Sequence, residues 1–466
     1  MVGITRIAPY LPRHRLDRAQ LGQAWGGRAA GLRTCAGIDE DALTLACDAA
    51  LACVGDAAPA GIDALYLATT SAPYREKQIA SMVATALDLP RTVAVADFGG
   101  SVRAGTTALR AALDGVRAGS LTGALVVAAD VRLAEPGSDV EALLGDGACA
   151  ALVGCDGVIA ELVSSAAVSE EFTYVFRTDE QRYVQVSDMR FGSTYGYARD
   201  VAEAVATALR KAEIPPANVA RLALGAPDAR AAAEAAKKIG VDAKVLVAPL
   251  VAEAGVLGTP DPLVLLSQAL ETVRPGDFVV VAAYGEGADA LVFRATEHLP
   301  AARPRPLAEA LASGIPLSYP VYLRNRGVLP FEAPTPGPGE QYTTMLEWRE
   351  LRQDVRFYGS RCEACGLVQY PQARVCTGCR AQERMTEHKL AKRGTVFTYT
   401  IDTIAPTLEH PVGMVIVDLD GGGRVYVQTT DAADGEIAVG TPVVLTYRRI
   451  GEGLGNRNYY WKARPA

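Results

Sequence analysis

The chain reads Cys362-Glu-Ala-Cys365-Gly and, after a spacer of ten residues, Cys376-Thr-Gly-Cys379. Each Cys-x-x-Cys pair bends the backbone so that two sulfurs face one cation, and two pairs complete the tetrahedral shell of a four-thiolate zinc ribbon. The protein supplies all four ligands, so no coordination position is left for water. The pattern therefore predicts a structural Zn²⁺ that stabilises the fold of the C-terminal region.

The same cysteines would form disulfides only in an oxidising compartment. The first residues contain no apolar signal core, and no apolar run approaches the length of a membrane span. We therefore expect a cytoplasmic, reduced protein. Five other cysteines lie among Ala, Val and Leu without paired ligand spacing, which predicts small buried side chains. They are Cys35, Cys47, Cys53, Cys149 and Cys155.

Length and charge set the broad class of the protein. A chain of 466 residues with 49% hydrophobic residues should form two or three domains with substantial cores. The net charge of -7 and the pI near 5.4 argue against a broad nucleic-acid surface. Local arginine clusters remain compatible with a phosphorylated ligand.

The N-terminal region alternates two kinds of segment up to about residue 297. Apolar segments with the pattern of buried strands, such as 64–69, 124–129 and 278–283, alternate with Ala/Leu/Arg stretches such as 104–118. This alternation is typical of an α/β fold with a buried sheet.

A composition break follows this region. Residues 331–343 begin Phe-Glu-Ala-Pro-Thr-Pro-Gly-Pro-Gly, which holds neither a helix nor an inner strand and predicts a linker. Residues 344–394 should contain a helix and the zinc ribbon. Residues 395–466 contain short apolar runs separated by Gly and Asp, which predicts a small β-barrel.

The C-terminal part resembles the zinc ribbon and OB-fold module found beside, or fused to, thiolase-type acyl-CoA enzymes. This resemblance implies acyl-CoA binding and assembly with a thiolase-type partner. An isolated OB-fold would instead suggest single-stranded nucleic acid, but the acidic charge argues against it. We expect neither a nucleic-acid nor a membrane partner. The matching stretches are 357–366, 394–400 and 415–420.

The first 330 residues resemble 3-hydroxy-3-methylglutaryl-CoA synthase of the thiolase superfamily, in its archaeal and bacterial form. The resemblance implies a five-layer duplicated thiolase-like fold with halves at 1–160 and 161–330, a coenzyme A thioester as substrate, and a homodimer. Matching segments include 69–74, 97–109, 145–150, 235–240, 274–277 and 317–327.

The catalytic positions differ from that family. The resemblance places Val102 where the family has its nucleophilic cysteine, Thr70 where it has its general acid/base glutamate, and Gly225 where it has its catalytic histidine. The neighbouring Ser101 carries a hydroxyl, but the Gly-Gly-Ser sequence favours a plain tight turn over a serine nucleophile. The only histidine before residue 298 is His14. An acyl-enzyme route therefore lacks its usual groups.

Two hypotheses remain open. The first is non-covalent carbon–carbon chemistry, an aldol addition or retro-aldol cleavage that needs a base at the hydroxyl and donors for the thioester enolate. It keeps an aldolase or an acyltransferase/synthase type of enzyme under consideration. The segment 188–197 is the densest polar stretch of the region. The candidate proton-transfer residues are Tyr74, Ser101, Asp188, Tyr195, Tyr197 and, from the C-terminal region, His410.

The second hypothesis is a catalytically inactive thiolase-like scaffold that binds acyl-CoA or an active thiolase partner. A scaffold would be expected to fill its pocket with bulky apolar residues, whereas small residues persist near Gly99 and Gly255. Under either hypothesis, Arg103 and Arg199 are the candidate contacts for the CoA phosphates.

Overall fold

The computed structural model divides the chain into two compact units. Unit 1 is Met1–Ala36, Asp41–Ala84 and Leu89–Arg326, and unit 2 is Gly37–Glu40, Thr85–Asp88 and Gly327–Ala466. The predicted linker 331–343 and His410 lie outside the described residues. The structure describes residues 1–55, 61–302, 306–329, 344–404, 408–409, 411–433, 435–453 and 456–466.

The described residues up to 329 contain fourteen strands and eleven α-helices. The strands are β1 (Gly3–Tyr10), β2 (His14–Asp17), β3 (Leu32–Cys35), β4 (Ala64–Ala68), β5 (Ala94–Phe98), β6 (Ala124–Asp130), β7 (Gly147–Gly154), β8 (Ala160–Ser169), β9 (Val175–Phe176), β10 (Gln185–Val186), β11 (Val219–Leu224), β12 (Phe278–Tyr284), β13 (Gly287–Ala295) and β14 (Ile315–Leu317). The helices are α1 (Ala19–Trp25), α2 (Ala42–Val54), α3 (Ile79–Ala86), α4 (Ala104–Arg117), α5 (Asp139–Leu143), α6 (Met189–Phe191), α7 (Ala198–Lys211), α8 (Ala229–Ile239), α9 (Asp261–Leu270), α10 (Leu307–Ala312) and α11 (Tyr319–Asn325).

The order of elements in unit 1 repeats. The first half runs β1-α2-β4-α3-β5-α4-β6-β7, and the second runs β8-α7-β11-α8-α9-β12-β13. In each half the last strand is antiparallel to its two neighbours, and the remaining pairs are parallel. An isolated parallel bridge between Leu222 and Leu246 stands where the first half has β5. Unit 1 is therefore an internal duplication.

Five layers follow from the packing. Helices α4 and α9 contact each other and strands of both halves, so they form the central layer between the two half-sheets. Helix α2 covers the first half-sheet, and α7 with α8 covers the second. The half-sheets join edge to edge where Gly3 pairs with Glu161 and Ile4 with Ala160. The core strands are almost wholly apolar because helices cover both faces.

Unit 2 contains two small β structures. After α12 (Thr344–Asp354), three strands form a sheet in the order β16-β15-β17. Five further strands form a second sheet in the order β20-β19-β18-β21-β22, and a bridge between Thr429 and Ala463 nearly closes it into a barrel. The strands are β15 (Tyr358–Cys362), β16 (Val368–Gln369), β17 (Met385–Lys389), β18 (Arg393–Asp402), β19 (Val412–Leu419), β20 (Arg424–Gln428), β21 (Pro442–Gly453) and β22 (Asn456–Pro465).

Burial corrects one expectation about the cysteines. Cys35, Cys47, Cys53 and Cys149 are buried as predicted, but Cys155 is exposed. Cys155 directly follows β7, in the turn that leads out of the core, so its apolar neighbours in sequence do not enclose it. Among the described helices, none is both long and apolar enough to cross a membrane.

Candidate functional site

A cavity of about 100 Å³ lies in unit 1. Its wall combines the residues just before α4, the start of α9, the segment after β11 and the turn between β12 and β13. The volume is small beside the roughly 300–1,000 Å³ of pockets that enclose whole drug-sized ligands, so it suits the reacting end of a longer molecule. The lining residues are Val102, Arg132, Tyr174, Val175, Tyr197, Gly225, Ala226, Pro227, Val256, Gly258, Asp261, Pro262, Ala283, Tyr284, Gly285 and Glu286.

Two of the three positions at which the family resemblance implies catalytic residues lie on this wall. Val102 and Gly225 both line the cavity, although they are 123 residues apart in the sequence (225 − 102). Thr70 is not part of the wall. The duplicated topology explains the meeting, because Val102 precedes α4 of the first half and Gly225 follows β11 of the second.

Thr70 belongs instead to a hydrogen-bond network around Asp130, the last residue of β6. Asp130 Oδ1 accepts from the Thr70 N–H at 2.8 Å, the Thr70 hydroxyl at 3.0 Å and the Ser71 hydroxyl at 2.8 Å. Its Oδ2 accepts from the Thr259 N–H at 2.8 Å. A Cβ on Gly258, which has φ of +84°, would lie only 2.5 Å from Oδ2. The network fixes the turn before α9 against the end of β6.

Asp261 is the acidic group of the cavity at the start of α9. It is buried, and its Oδ1 accepts from the Leu257 N–H at 3.3 Å. Its Oδ2 lies 3.4 Å from the position that a Cβ on Gly225 would occupy. Burial raises the pKa of Asp261 to about 7, because removing a carboxylate from water penalises its charged form.

Two of the phenols on the cavity wall, Tyr197 and Tyr284, contact each other. Tyr197 ends a π-helical turn, Gly192–Tyr197, and Tyr284 ends β12. Their rings meet edge to face with centroids 5.8 Å apart. Both hydroxyls are buried without a hydrogen-bond partner in the described part of the chain. Burial, followed by the charges of Asp261 and Asp228, raises the pKa of Tyr197, which keeps its hydroxyl protonated as a donor.

Arg132 supplies a positive charge to the wall. The side chain is buried, and its Nε has no hydrogen-bond partner among the described residues. Burial lowers the pKa of Arg132, and the nearby Asp130 opposes this change. A buried guanidinium with a free N–H is suited to an oxygen that develops negative charge.

The polar segment selected from the sequence divides between cavity and surface. Tyr197 reaches the cavity. Asp188 is exposed and caps α6 by accepting from the Phe191 N–H at 2.7 Å. Tyr195 is 57% exposed and packs on Phe191, with ring centroids 4.7 Å apart. Tyr74 is half-buried on another segment, and neither it, Asp188 nor Tyr195 lines the cavity.

Ser101 and Arg103 flank Val102 at the cavity. Ser101 Oγ lies 2.3 Å from the position that a Cβ on Gly285 would occupy, which places the hydroxyl beside the wall. Arg103 Nη1 donates to the Val168 carbonyl at 2.8 Å and lies 4.0 Å from Asp289 Oδ1. These two contacts hold the guanidinium of Arg103 inside unit 1.

Arg199 lies on α7 with its side chain about half exposed. Its Nε donates to Asp200 Oδ1 at 2.7 Å, and its Nη2 lies 3.4 Å from Glu170 Oε2. Arg199 does not line the cavity. Its assignment to a CoA phosphate, like that of Arg103, remains a prediction.

The four zinc-ribbon cysteines converge in unit 2. All four sulfurs lie within 4.8 Å of one another. Cys362 Sγ is 3.6 Å from Cys379 Sγ, and Cys365 Sγ is 3.5 Å from Cys376 Sγ. Zn–S bonds of about 2.3 Å in a tetrahedron require sulfurs about 3.8 Å apart. The four thiols therefore fit one structural Zn²⁺.

The wall residues that the sequence did not predict include Arg132, Asp261 and Tyr284. Asp261 left a signal, because it opens the apolar helix Asp261-Pro-Leu-Val-Leu-Leu, where a charged residue is unusual. Together, the described wall offers the carboxyl groups of Asp261 and Glu286, phenolic hydroxyls and a guanidinium, but neither a thiol nor an imidazole. Such groups transfer protons and stabilise oxyanions.

Comparison with known proteins agrees with this architecture. The hydroxymethylglutaryl-CoA synthase of Pyrobaculum neutrophilum is 29% identical over 344 residues, which cover 70% of this chain and 98% of the relative. A solved HMG-CoA synthase complexed with CoA has a TM-score of 0.63 at 20% identity, covering 74% of this chain and 95% of that one. MvaS in complex with 3-hydroxy-3-methylglutaryl coenzyme A has a TM-score of 0.62 at 23% identity, covering 72% and 95%.

Two family models match the C-terminal region. Residues 349–383 match the ChsH2 rubredoxin-like zinc ribbon domain, and residues 387–448 match the ChsH2 C-terminal OB-fold domain. The fold and these matches define a thiolase-like protein related to acyl-CoA condensing enzymes. More particularly, its N-terminal region is similar to hydroxymethylglutaryl-CoA synthases, and its C-terminal region matches the ChsH2 zinc ribbon and OB-fold domains.

Proposed function

We propose that the protein makes or breaks a carbon–carbon bond in an acyl-CoA thioester, by aldol or retro-aldol chemistry without an acyl-enzyme intermediate. The observation that carries this proposal is the composition of the cavity wall. Val102 and Gly225 line it at the positions where the family resemblance implies cysteine and histidine. A valine forms no thioester and a glycine accepts no proton.

The remaining wall residues suit a non-covalent reaction. Cleavage of a 3-hydroxyacyl thioester needs a base at the hydroxyl group and donors for the thioester oxygen, because the electrons of the broken bond form an enolate. The carboxyl groups of the wall can act as the base, and its phenol and guanidinium groups can act as the donors. A Claisen condensation through an acyl-enzyme needs a nucleophile that the described wall does not supply.

The assignment to CoA thioesters is supported by the relatives, which include structures described as complexes with CoA and with 3-hydroxy-3-methylglutaryl coenzyme A. In this proposal Arg103 and Arg199 contact the CoA portion, and Zn²⁺ holds the ribbon. The family resemblance further favours a homodimer and a thiolase-type partner. Size-exclusion chromatography with light scattering tests the dimer directly.

The test is a panel of 3-hydroxyacyl-CoA esters, and of aldehydes or ketones paired with acyl-CoA, incubated with the purified protein. Mass spectrometry of the CoA products should show cleaved or newly joined acyl chains, and the protein should keep its own mass. A stable acyl adduct on Ser101 would contradict the non-covalent route. Tight CoA binding without turnover across the panel would favour the inactive scaffold.

A further inference from the structure

We infer that Asp261 is the proton-transfer residue of this reaction: its carboxylate removes the proton from the β-hydroxyl and returns it to the α-carbon. This inference rests on the proposed function. The family resemblance provides no counterpart for this role, since it assigns proton transfer to the positions of Thr70 and Gly225.

The carboxyl group of Asp261 lies next to residue 225. A side chain at residue 225 would project towards Asp261, because its Cβ would lie 3.4 Å from Asp261 Oδ2. Glycine leaves that volume open, and the carboxylate borders it. The proton acceptor therefore lies next to the space that a side chain at residue 225 would occupy. It belongs to the start of α9, whereas residue 225 follows the end of β11.

The two carboxyl oxygens of Asp261 have different surroundings. Oδ1 is held by the Leu257 N–H at 3.3 Å, which fixes the orientation of the carboxyl group. Within the described residues, no ion pair or second hydrogen bond engages Oδ2. Asp261 is 6% exposed, so a group in the cavity is the natural partner for Oδ2. A carboxyl with a pKa of about 7 exchanges protons readily near neutrality.

The surrounding charges fit the same step. Tyr197 and Arg132 offer donors to the thioester oxygen. Asp228 is near enough to raise the pKa of Tyr197, so it adds negative charge on that side. The other titratable groups on the wall are Tyr174, Tyr284 and Glu286. Arg132 is thus the one cation among the described wall residues, and it favours the enolate over the neutral thioester.

The reaction balances without a further reactant. Asp261 takes the β-hydroxyl proton, the hydroxyl oxygen forms a carbonyl, and the bond between the α- and β-carbons breaks. The electron pair of that bond enters the thioester as an enolate, whose oxygen accepts hydrogen bonds. The proton on Asp261 then passes to the α-carbon, so the products are an aldehyde or ketone and a shortened acyl-CoA. The reverse sequence is aldol addition.

The experiment compares the full-length wild-type protein with Asp261→Asn on the substrate that turns over fastest in the panel. The amide retains the acceptor for the Leu257 N–H, so the fold should persist. We expect kcat to fall at least 100-fold, within the range typical of a lost acid/base group, while the Kd for the thioester changes less than threefold. Wild-type kcat/KM should rise with pH through a midpoint near 7, and the residual rate of the variant should lack that midpoint.

The matched control is Asp41→Asn, because Asp41 is also a buried aspartate at a helix start but lies outside the cavity and caps α2. Asparagine caps helices about as well as aspartate, so this variant should keep wild-type kcat. Infrared difference spectra of wild type against Asp261→Asn should show a protonated carboxyl band that disappears as the pH rises through about 7.

The outcomes separate the inference from the proposed function. An active wild type with Asp261→Asn within threefold of it would overturn the role of Asp261 and leave the carbon–carbon chemistry intact. A wild type that turns over no member of the panel would overturn the proposed function, and the inference with it.

Discussion

At the scale of single residues, the unusual feature is an acid buried at the start of an apolar helix. The positive end of a helix favours an anion, whereas burial disfavours it, so Asp261 experiences two opposing effects. Burial dominates and raises the pKa of Asp261 to about 7. The chain accepts a cost in stability at a position that a neutral side chain would fill more favourably.

Asp261→Asn should therefore stabilise the protein at alkaline pH. Below about pH 4 the carboxyl is protonated in both folded and unfolded chains; between that pH and about 7 only the folded chain keeps the proton, so wild-type stability falls as pH rises. Above pH 8 the variant should be more stable by about 2–4 kcal/mol, since each tenfold change in proton affinity corresponds to about 1.4 kcal/mol. Urea denaturation at pH 4.5 and 8.5 measures the difference, and an equal gain at both values would contradict it.

Tyr197→Phe separates stability from activity. The hydroxyl is buried without a partner among the described residues, so removing it should leave the unfolding free energy unchanged or raise it by up to about 1 kcal/mol. If the hydroxyl donates to the enolate, kcat should fall about 10- to 1,000-fold. Tyr195→Phe is the matched comparison on the exposed side of the same turn. Unchanged kcat in Tyr197→Phe would exclude this donor.

At the scale of elements, the two central helices approach closely. A Cβ on Gly105, in the first turn of α4, would lie 2.3 Å from the Thr259 carbonyl oxygen just before α9. Backbone atoms on both sides must move to make room for any side chain. The glycine therefore sets the spacing of the two helix starts and the width of the cavity between them.

Gly105→Ala should destabilise unit 1 by about 1–3 kcal/mol through overpacking, and it should also lower affinity for the thioester because the start of α9 must shift. Gly27→Ala is the control, since nothing lies within 4 Å of its Cβ position and its φ is not positive. Thermal unfolding and equilibrium binding of a CoA thioester measure both effects. A Gly105→Ala protein as stable as wild type would show that the helices separate easily.

The sequence predicted individual strands better than it predicted which residues the fold brings together. Segments 64–69, 124–129 and 278–283 correspond to β4, β6 and β12, because a strand covered on both faces is apolar throughout. The cysteine spacing likewise predicted the ribbon. The cavity was harder, since Asp261 becomes functional only through its distance from residue 225, and no local pattern encodes that distance. The prediction that Cys155 is buried was wrong for a similar reason, because local composition does not reveal where a buried strand ends.

At the scale of the whole molecule, unit 2 depends on two kinds of charged centre. One is the cysteine cluster. The other is a buried group in which Arg448 contacts Asp431 at 2.8 Å and Glu40 at 3.0 Å, while Lys462 contacts Asp39 at 2.8 Å. Asp39 and Glu40 belong to the short segment Gly37–Glu40, which is part of unit 2 although it lies near the N-terminus of the sequence. Unit 2 therefore includes residues from both ends of the chain.

Metal analysis of purified protein should find one zinc per chain. Cys376→Ser should lose the metal and loosen the ribbon, because Cys376 is buried in the cluster and the closed shell needs every thiolate. Cys155→Ser is the control, since this exposed cysteine lies outside the cluster and should leave the zinc content unchanged. Protein prepared without chelator that contains no zinc would remove the structural assignment.

Arg448→Met should destabilise unit 2 by about 3–5 kcal/mol, because it leaves the carboxylates of Asp431 and Glu40 buried without this cation. Hydrogen exchange should accelerate in β21 and β22. Arg349→Met removes an exposed pair with Glu350 and should cost less than about 1 kcal/mol. Equal exchange rates in the two variants would show that the buried group contributes little.

The internal duplication has a consequence for how such a site can evolve. Repeating one half gives the molecule two helix starts that border a single chamber, one preceded by Val102 and the other occupied by Asp261. During evolution, a protein with this fold can therefore lose its reactive group at one helix start and use a group at the other helix start, while the rest of the cavity wall stays the same. If Asp261 performs the chemistry, and if Val102 stands in place of an ancestral cysteine as the family resemblance implies, ancestral reconstruction should find the acid at residue 261 no later than the change from cysteine to valine at residue 102.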